Sequence, residues 1–279
     1  MKDWLLRLIP EKFRSKRPVV HVVRLAGVIG GSSPLRPGVS LRAVEPTLKR
    51  AFGRKGLAAV AIQVNSPGGS AVQSALIHAR IRALAAKHNT PVLVFCEDVA
   101  ASGGYWLACS GDEIYADTSS IVGSIGVIAA GFGFVDAIAK LGIERRVHTS
   151  GESKSILDPF QPEKPEDVAR LLTLQGDIHE EFKSLVRARR AGKLKGEEGE
   201  LFSGAFWSGR KARELGLIDG IGHMHEILMR RFGEKVQIKP IEKPHGWGLR
   251  RLGFPSAEEV AGRLAGAIEE RAMWSRFGL

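Results

Sequence analysis

The sequence is poor in cysteine, with Cys96 and Cys109 as its only two in 279 residues. Both lie in apolar stretches, and their spacing suggests neither a disulfide framework nor a zinc site. The eight histidines include one close pair, His223 and His225, and no His-Glu-x-x-His pattern. We therefore expect no metal, no cofactor, and two reduced thiols that pack in the core.

Long hydrophobic runs are also missing, so no segment is predicted to span a bilayer. Residues 1–17 alternate apolar side chains with lysine and arginine, and they lack the apolar core and cleavage site of a secretory signal. Such a segment is equally consistent with a helix lying on a membrane surface and with one packed on the domain. The sequence thus favours a cytoplasmic or peripherally membrane-associated protein.

Negative charge is scarce relative to positive charge. There are 41 Lys and Arg against 30 Asp and Glu, a formal charge of +11. This excess indicates an anionic partner, either nucleic acid or an acidic membrane surface. Because no zinc-finger, helix-turn-helix or RNA-binding signature accompanies it, we favour peripheral contact with an anionic membrane and expect no nucleic acid.

The chain is predicted to form an α/β domain with a parallel sheet. Continuous apolar runs of strand length at 57–64 and 91–95 each end in a glycine-rich turn that opens a helical pattern. A long helix is predicted over 165–190, and a further strand over 143–149. The predicted organisation is a basic amphipathic segment at 1–17, one domain at 18–241, and a linker with an amphipathic helix at 242–279.

The two glycine-rich turns should line one cleft, because ligands gather at the carboxyl ends of parallel strands. In the first turn, the N–H groups of Gly68 and Gly69 are suited to an oxyanion, although a tight turn also explains both glycines. In the second turn, Ser102 stands at a helix start as a candidate nucleophile or simply as an N-cap.

A serine nucleophile needs a base, and no histidine is an obvious partner. Lys154 lies in a polar loop at 151–160, where a lysine is ordinarily solvated. The ordinary lysine pKa of about 10.4 must fall by about three units for the amine to act as a base near neutral pH. A dry pocket without a nearby carboxylate can achieve this, so Glu152 and Asp158 are expected to point away.

Several motifs together resemble the signal peptide peptidase A family of serine peptidases over roughly residues 18–235. They are Asn-Ser-Pro-Gly-Gly at 65–69, Ala-Ala-Ser-Gly-Gly-Tyr-Trp at 100–106, Val-Gly-Ser-Ile-Gly-Val at 122–127, Lys154 with Pro-Phe at 159–160, and Ala-x-x-x-Gly-Leu-Ile-Asp at 212–219. Each glycine motif is weak alone, and the order and spacing of the set are specific.

The resemblance implies a serine endopeptidase with Ser102 as nucleophile, Lys154 as general base and Ser124 as the residue that orients the lysine. Backbone N–H groups of Gly69 and Gly103 correspond to the oxyanion donors. The substrate-binding positions that match are Gly68, Tyr105, Gly123 and Ile125.

The resemblance further implies a bacterial protein with a ClpP/crotonase-like fold of repeated β-β-α units. It also implies a ring-like homo-oligomer whose active sites are shared between subunits. Expected substrates are unfolded or membrane-derived peptides such as signal-peptide remnants. The usual N-terminal transmembrane anchor of that family is not evident here. Two alternatives stay open: a crotonase-like enzyme acting on acyl-CoA, which would not need Lys154, and a non-catalytic membrane-associated scaffold.

Overall fold

The structure is a computed structural model that describes residues 17–30, 38–151, 153–242 and 270–279. The predicted N-terminal segment lies outside these residues except for its last position. Most of the predicted C-terminal linker and helix also lies outside them. Among the described helices, none combines the length and apolarity needed to cross a bilayer.

Besides a helical stretch at residues 270–275, eight strands and eight helices follow one another in the described residues, largely in alternation. They are β1 Val19–Ala26, α1 Leu41–Phe52, β2 Ala59–Ser66, α2 Ala71–His88, β3 Val92–Ala101, α3 Gly103–Ala108, β4 Glu113–Ala116, β5 Ile121–Gly123, α4 Val135–Lys140, α5 Pro165–Arg189, α6 Glu198–Leu201, β6 Phe206–Ser208, α7 Gly209–Glu214, β7 Gly220–Ile221, α8 Met224–Phe232 and β8 Gln237–Pro240.

The strands form one sheet in the order β6-β5-β3-β2-β1-β8, with β4 and β7 branching from β3. Every pairing is parallel except that of β5 with β6. Strand β3 pairs with β4 through residues 93–96 and with β5 through residues 99–101. The predicted α/β class with a parallel sheet is therefore confirmed.

The sheet is covered on both faces, which explains the continuous apolar runs of β2 and β3. Val60, Ile62 and Val64 of β2 join the larger core cluster with helices α1, α2 and α3. The alternate residues Ala59 and Ala61 join a smaller cluster with Ile227 and Leu228 of α8. Because successive side chains of a strand point to opposite faces, a strand buried on both sides shows no polar alternation.

Residues 127–181, which we call the arm, project from this core. No described residue of the arm is buried, and burial resumes only at Phe182 of α5. The prediction of a strand over residues 143–149 was wrong: these residues are exposed and have no regular structure. Strand formation needs a pairing edge, and the described part of one chain offers none there.

The 212–219 motif has a structural explanation. Gly216 has a φ of +76°, and a Cβ there would lie 1.8 Å from the Lys193 carbonyl oxygen. Asp219 accepts hydrogen bonds from Arg190 at 2.6 Å and Lys193 at 2.7 Å, and Arg190 is almost fully buried. The motif ties the end of α5 to the core and contributes no group to the cleft around Ser102.

Candidate active site

Ser102 occupies a strained turn between β3 and α3. Its φ of +51° and ψ of −121° are unusual for a residue with a side chain, and its side chain makes no capping hydrogen bond. Its N–H donates to the Gly123 carbonyl at 2.8 Å. The N-cap interpretation therefore fails. A half-buried serine in a costly conformation, whose hydroxyl takes no hydrogen bond from the described residues, is typical of a nucleophile at a strand-to-helix turn.

The Gly69 N–H faces away from Ile29, and its nitrogen lies near Gly103, the residue that follows Ser102. Ile29 donates to the Gly68 carbonyl and accepts from Ser70, both at 2.8 Å, so it bridges both sides of Gly69. In such a parallel bridge the N–H of the central residue faces away from the partner. A Cβ built on Gly103 would lie 3.4 Å from the Gly69 nitrogen. The two expected oxyanion donors therefore belong to adjacent segments.

Gly68 and Gly69 are required by space as well as by conformation. Their φ angles are +111° and +136°. A Cβ at Gly68 would lie 2.8 Å from the Ser102 Cβ, and one at Gly69 would lie 2.1 Å from the Ile29 carbonyl oxygen. The tight turn and the expected oxyanion role of these glycines are thus compatible, because the turn places the Gly69 nitrogen close to the residue that follows Ser102.

Ser124 lies one residue beyond the point where β5 contacts Ser102. It is buried, has a φ of +52°, and its N–H donates to the Ala205 carbonyl at 2.7 Å. Gly123 immediately precedes it and accepts the Ser102 hydrogen bond. Ser124 is therefore the next residue along the chain from the one that Ser102 contacts, and its role beside the lysine stays a prediction.

Lys154 lies on the arm, in a turn where its N–H donates to the Gly151 carbonyl at 3.2 Å. Its side chain is exposed, and within the described part of one chain no hydrogen bond joins it to Ser102 or Ser124. Asp158 is engaged elsewhere, since its carboxylate is 2.8 Å from the Arg145 guanidinium. Glu152 lies outside the described residues. The described part of one chain therefore shows no contact between the serine and the lysine.

Tyr105 is a predicted substrate-binding position whose side chain does not face the cleft, so only its backbone could contact substrate, and this contact stays a prediction. Its side chain is fully buried, and its hydroxyl donates to the Leu217 carbonyl at 2.7 Å. Burial raises its pKa well above the ordinary value. The short helix α3 is surrounded by core on all sides, so an aromatic residue three positions after the serine faces inward.

The other two predicted substrate-binding positions after β3 are also enclosed. Gly123 pairs with Ala101 on one side and with Phe206 on the other, so both edges of β5 are occupied there. The Ile125 side chain is fully buried and its carbonyl faces the His179 ring. Neither Gly123 nor Ile125 therefore presents a side chain to the cleft around Ser102. That their backbone groups bind substrate stays a prediction.

Neither cysteine is a candidate nucleophile in place of Ser102. Cys96 and Cys109 are both buried and free, and burial raises the pKa of each to about 12. A protonated, enclosed thiol is a poor nucleophile. Among the described residues, no group of three potential metal ligands comes together.

Two residues that contact the backbone of the candidate site were not predicted from the sequence. Ile29 holds the glycine turn through its backbone, and no sequence pattern reports such a long-range bridge. His179 contacts the Ile125 carbonyl through its Nε2 atom at 3.1 Å. A signal for His179 existed, because it lies three residues before Phe182 on the buried face of the predicted helix.

Comparison with known proteins identifies the family. The model of peptidase family S49 matches residues 85–238, which is more than half of the chain. A protein of Brucella melitensis named Na(+)/H(+) antiporter NhaA is 51% identical over 99% of this chain, which spans 39% of that protein's length. A putative signal peptide peptidase SppA of Enterococcus faecium is 31% identical over 65% of this chain and 52% of its own length.

The fold has a counterpart among solved structures. A 1510-N membrane-bound stomatin-specific protease superposes with a TM-score of 0.51 at 15% identity, covering 82% of this chain and 99% of its own. At that identity the likeness concerns the fold alone, and it confirms the predicted ClpP/crotonase-like architecture.

The family model and the fold define the class of protein as an α/β protein of a peptidase family. The chain belongs to peptidase family S49. The predicted resemblance to signal peptide peptidase A is thereby confirmed.

Proposed function

We propose that this chain is a serine endopeptidase that cleaves unfolded or membrane-derived peptides through an acyl-enzyme on Ser102. The observation that carries the proposal is the strained Ser102 turn, with its hydroxyl free of capping and the Gly69 nitrogen beside Gly103. Positive φ at a serine is costly and persists where surrounding structure holds it for function.

The proposed reaction begins when the neutral amine of Lys154 takes the proton of the Ser102 hydroxyl. The oxygen attacks the peptide carbonyl, and the N–H groups of Gly69 and Gly103 stabilise the resulting oxyanion. The lysine then gives the proton to the leaving amine. Water, activated by the same amine, releases the acyl group, while Ser124 holds the lysine in place.

Lys154 is proposed to reach the serine of a neighbouring copy. The arm that carries it exposes large apolar side chains, which favours burial against another surface. They include Ile128, Phe132, Leu141, Leu172 and Leu174, each more than half exposed. Packing of the arm on a neighbour in a ring-like homo-oligomer would cover these side chains and remove the Lys154 amine from water, which favours its neutral form.

The proposed substrates are extended peptides with small or apolar side chains, as in signal-peptide remnants. Val72 and Leu76 support this, because they lie one turn apart on α2 directly after the glycine turn and are 66% and 44% exposed. They offer an apolar surface beside the oxyanion donors. The positive charge of the chain supports peripheral contact with an anionic membrane, where such peptides arise.

A fluorophosphonate probe tests the proposal, because it labels only an activated serine. We expect the wild-type chain to be labelled at Ser102, and Ser102→Ala and Lys154→Ala to be unlabelled and inactive toward casein. Lys140→Ala, an exposed lysine of the same arm, is the matched control and should behave as wild type. Labelling of Ser102 that survives Lys154→Ala would refute the role of the lysine. Labelling that survives Ser102→Ala would refute the nucleophile.

A further inference from the structure

Helix α5 runs alongside the helix that begins at Ser102. Phe182 of α5 is buried and stacks on Trp106 of α3, with ring centroids 4.6 Å apart. Arg189, two turns further on, donates to the Cys109 carbonyl at 2.8 Å and to the Gly111 carbonyl at 2.7 Å. The C-terminal half of α5 is thus held firmly against the segment that follows the nucleophile.

His179 extends this contact to the loop that carries Ser124. It lies three residues before Phe182, so both side chains leave the same face of α5. Its Nε2 atom is 3.1 Å from the Ile125 carbonyl oxygen. Because a carbonyl oxygen only accepts hydrogen bonds, Nε2 carries the proton and donates.

Besides the strand pairings of Gly123, three hydrogen bonds among the described residues hold the loop at 123–126. Ser102 donates to the Gly123 carbonyl at 2.8 Å, and Ser124 donates to the Ala205 carbonyl at 2.7 Å. The third contact is the bond from His179 to Ile125. The first two join backbone groups, whereas the third comes from a side chain and lies directly after the strained Ser124, at the point where the chain turns into the arm.

We infer that His179 is a positioning residue for the peptidase reaction: its Nε2–H holds the Ile125 carbonyl and thereby fixes Ser124 relative to Ser102. The inference rests on the proposed function, because Ser124 matters only if it orients the lysine. A strained conformation persists only when its surroundings determine it. Loss of the His179 bond should therefore let Ser124 relax and should slow the chemical step without weakening substrate binding.

The test compares His179→Gln, His179→Asn and His179→Leu by kcat and KM for peptide hydrolysis and by the rate of fluorophosphonate labelling. The glutamine amide nitrogen reaches about as far as Nε2 does, whereas the asparagine nitrogen is too short. We expect about a tenfold loss of kcat in the Leu and Asn variants, the size of one lost hydrogen bond, with KM within about twofold. The Gln variant should retain most of the wild-type kcat. His88→Gln, an exposed histidine at the end of α2, is the matched control.

Equal kcat in His179→Leu and wild type would overturn the inference. A Gln variant with a kcat as low as that of the Asn variant would also overturn it. The comparison of Gln with Asn remains decisive if the Leu variant fails to fold. Failure of the proposed function is distinguished by a separate outcome, in which the wild-type chain is not labelled at Ser102. That outcome would overturn the inference as well.

Discussion

At the scale of single residues, the two serines of the site share a costly backbone geometry. Ser102 and Ser124 both have φ near +50°, and Gly123 joins them, since it precedes one and accepts a hydrogen bond from the other. Each such residue costs about 1 to 3 kcal/mol, which the packed core around β3 and β5 must offset. Of the four non-glycine residues with positive φ among those described, these two lie where the chemistry is proposed, whereas Asn89 ends α2 and Leu157 lies on the arm.

A buried histidine outside the site should make stability depend on pH. Burial, with Arg189 nearby, lowers the pKa of His78 from 6.5 to about 4. Below pH 6.5 the unfolded chain therefore binds this proton more strongly than the folded chain, and stability falls until pH 4. We expect His78 to account for a loss of about 2 kcal/mol in the free energy of unfolding between pH 7 and pH 5.

Urea unfolding of wild type and His78→Leu at both pH values measures this contribution. The leucine variant cannot take up the proton, so its loss of stability on acidification should be smaller by about that amount. Comparing the two pH values within each variant cancels the packing cost of the substitution itself. An identical loss in both proteins would contradict the assignment.

At the scale of elements, the turn between β2 and α2 should tolerate no side chain. Gly68→Ala would place a methyl group 2.8 Å from the Ser102 Cβ and 3.0 Å from the Gly103 nitrogen. Because both groups take part in the proposed reaction, we expect peptidase activity to fall by about a hundredfold or more. Steady-state hydrolysis of a peptide substrate measures the change.

Gly27→Ala is the matched control for this substitution. Gly27 has nearly the same φ, +107°, yet a Cβ there would meet no atom within 4 Å. The two variants should share a loss of stability of about 1 to 2 kcal/mol from the backbone conformation, while only Gly68→Ala loses activity. Equal activity in the two variants would show that the Gly68 turn is not part of the site.

Some elements could be predicted from the sequence and others could not, for physical reasons. The buried runs of β2 and β3 and the glycine turns after them are local patterns, and they were found. The Ile29 bridge depends on the meeting of distant segments, to which no local pattern points. The face of α5 that carries His179 could be predicted from its spacing to Phe182, whereas its partner Ile125 could not. The burial of the Tyr105 side chain could not be predicted, because its distance along the chain from Ser102 does not show which way α3 faces.

At the scale of the whole molecule, one chain separates the two groups that the proposed chemistry must unite. Ser102 is half-buried in the turn between β3 and α3, whereas Lys154 is exposed on the arm. The arm has local order of its own: Arg145 pairs with Asp158 and lies 4.7 Å from the Phe160 ring centroid, and Phe134 donates to the Pro159 carbonyl. An ordered arm with an apolar surface is suited to docking on another copy.

Sharing of the site between copies can be measured by co-expression of two inactive chains. Equal amounts of Ser102→Ala and Lys154→Ala chains should form mixed rings in which about a quarter of the sites hold both an intact serine and an intact lysine. The control is wild type co-expressed with the double variant, which under sharing also leaves about a quarter of the sites intact.

The account therefore predicts about equal peptidase activity in the two mixtures, close to a quarter of that of the wild-type ring. If serine and lysine instead act within one chain, the first mixture will be inactive and the control will keep about half. That result would contradict the claim that a neighbouring copy supplies the base.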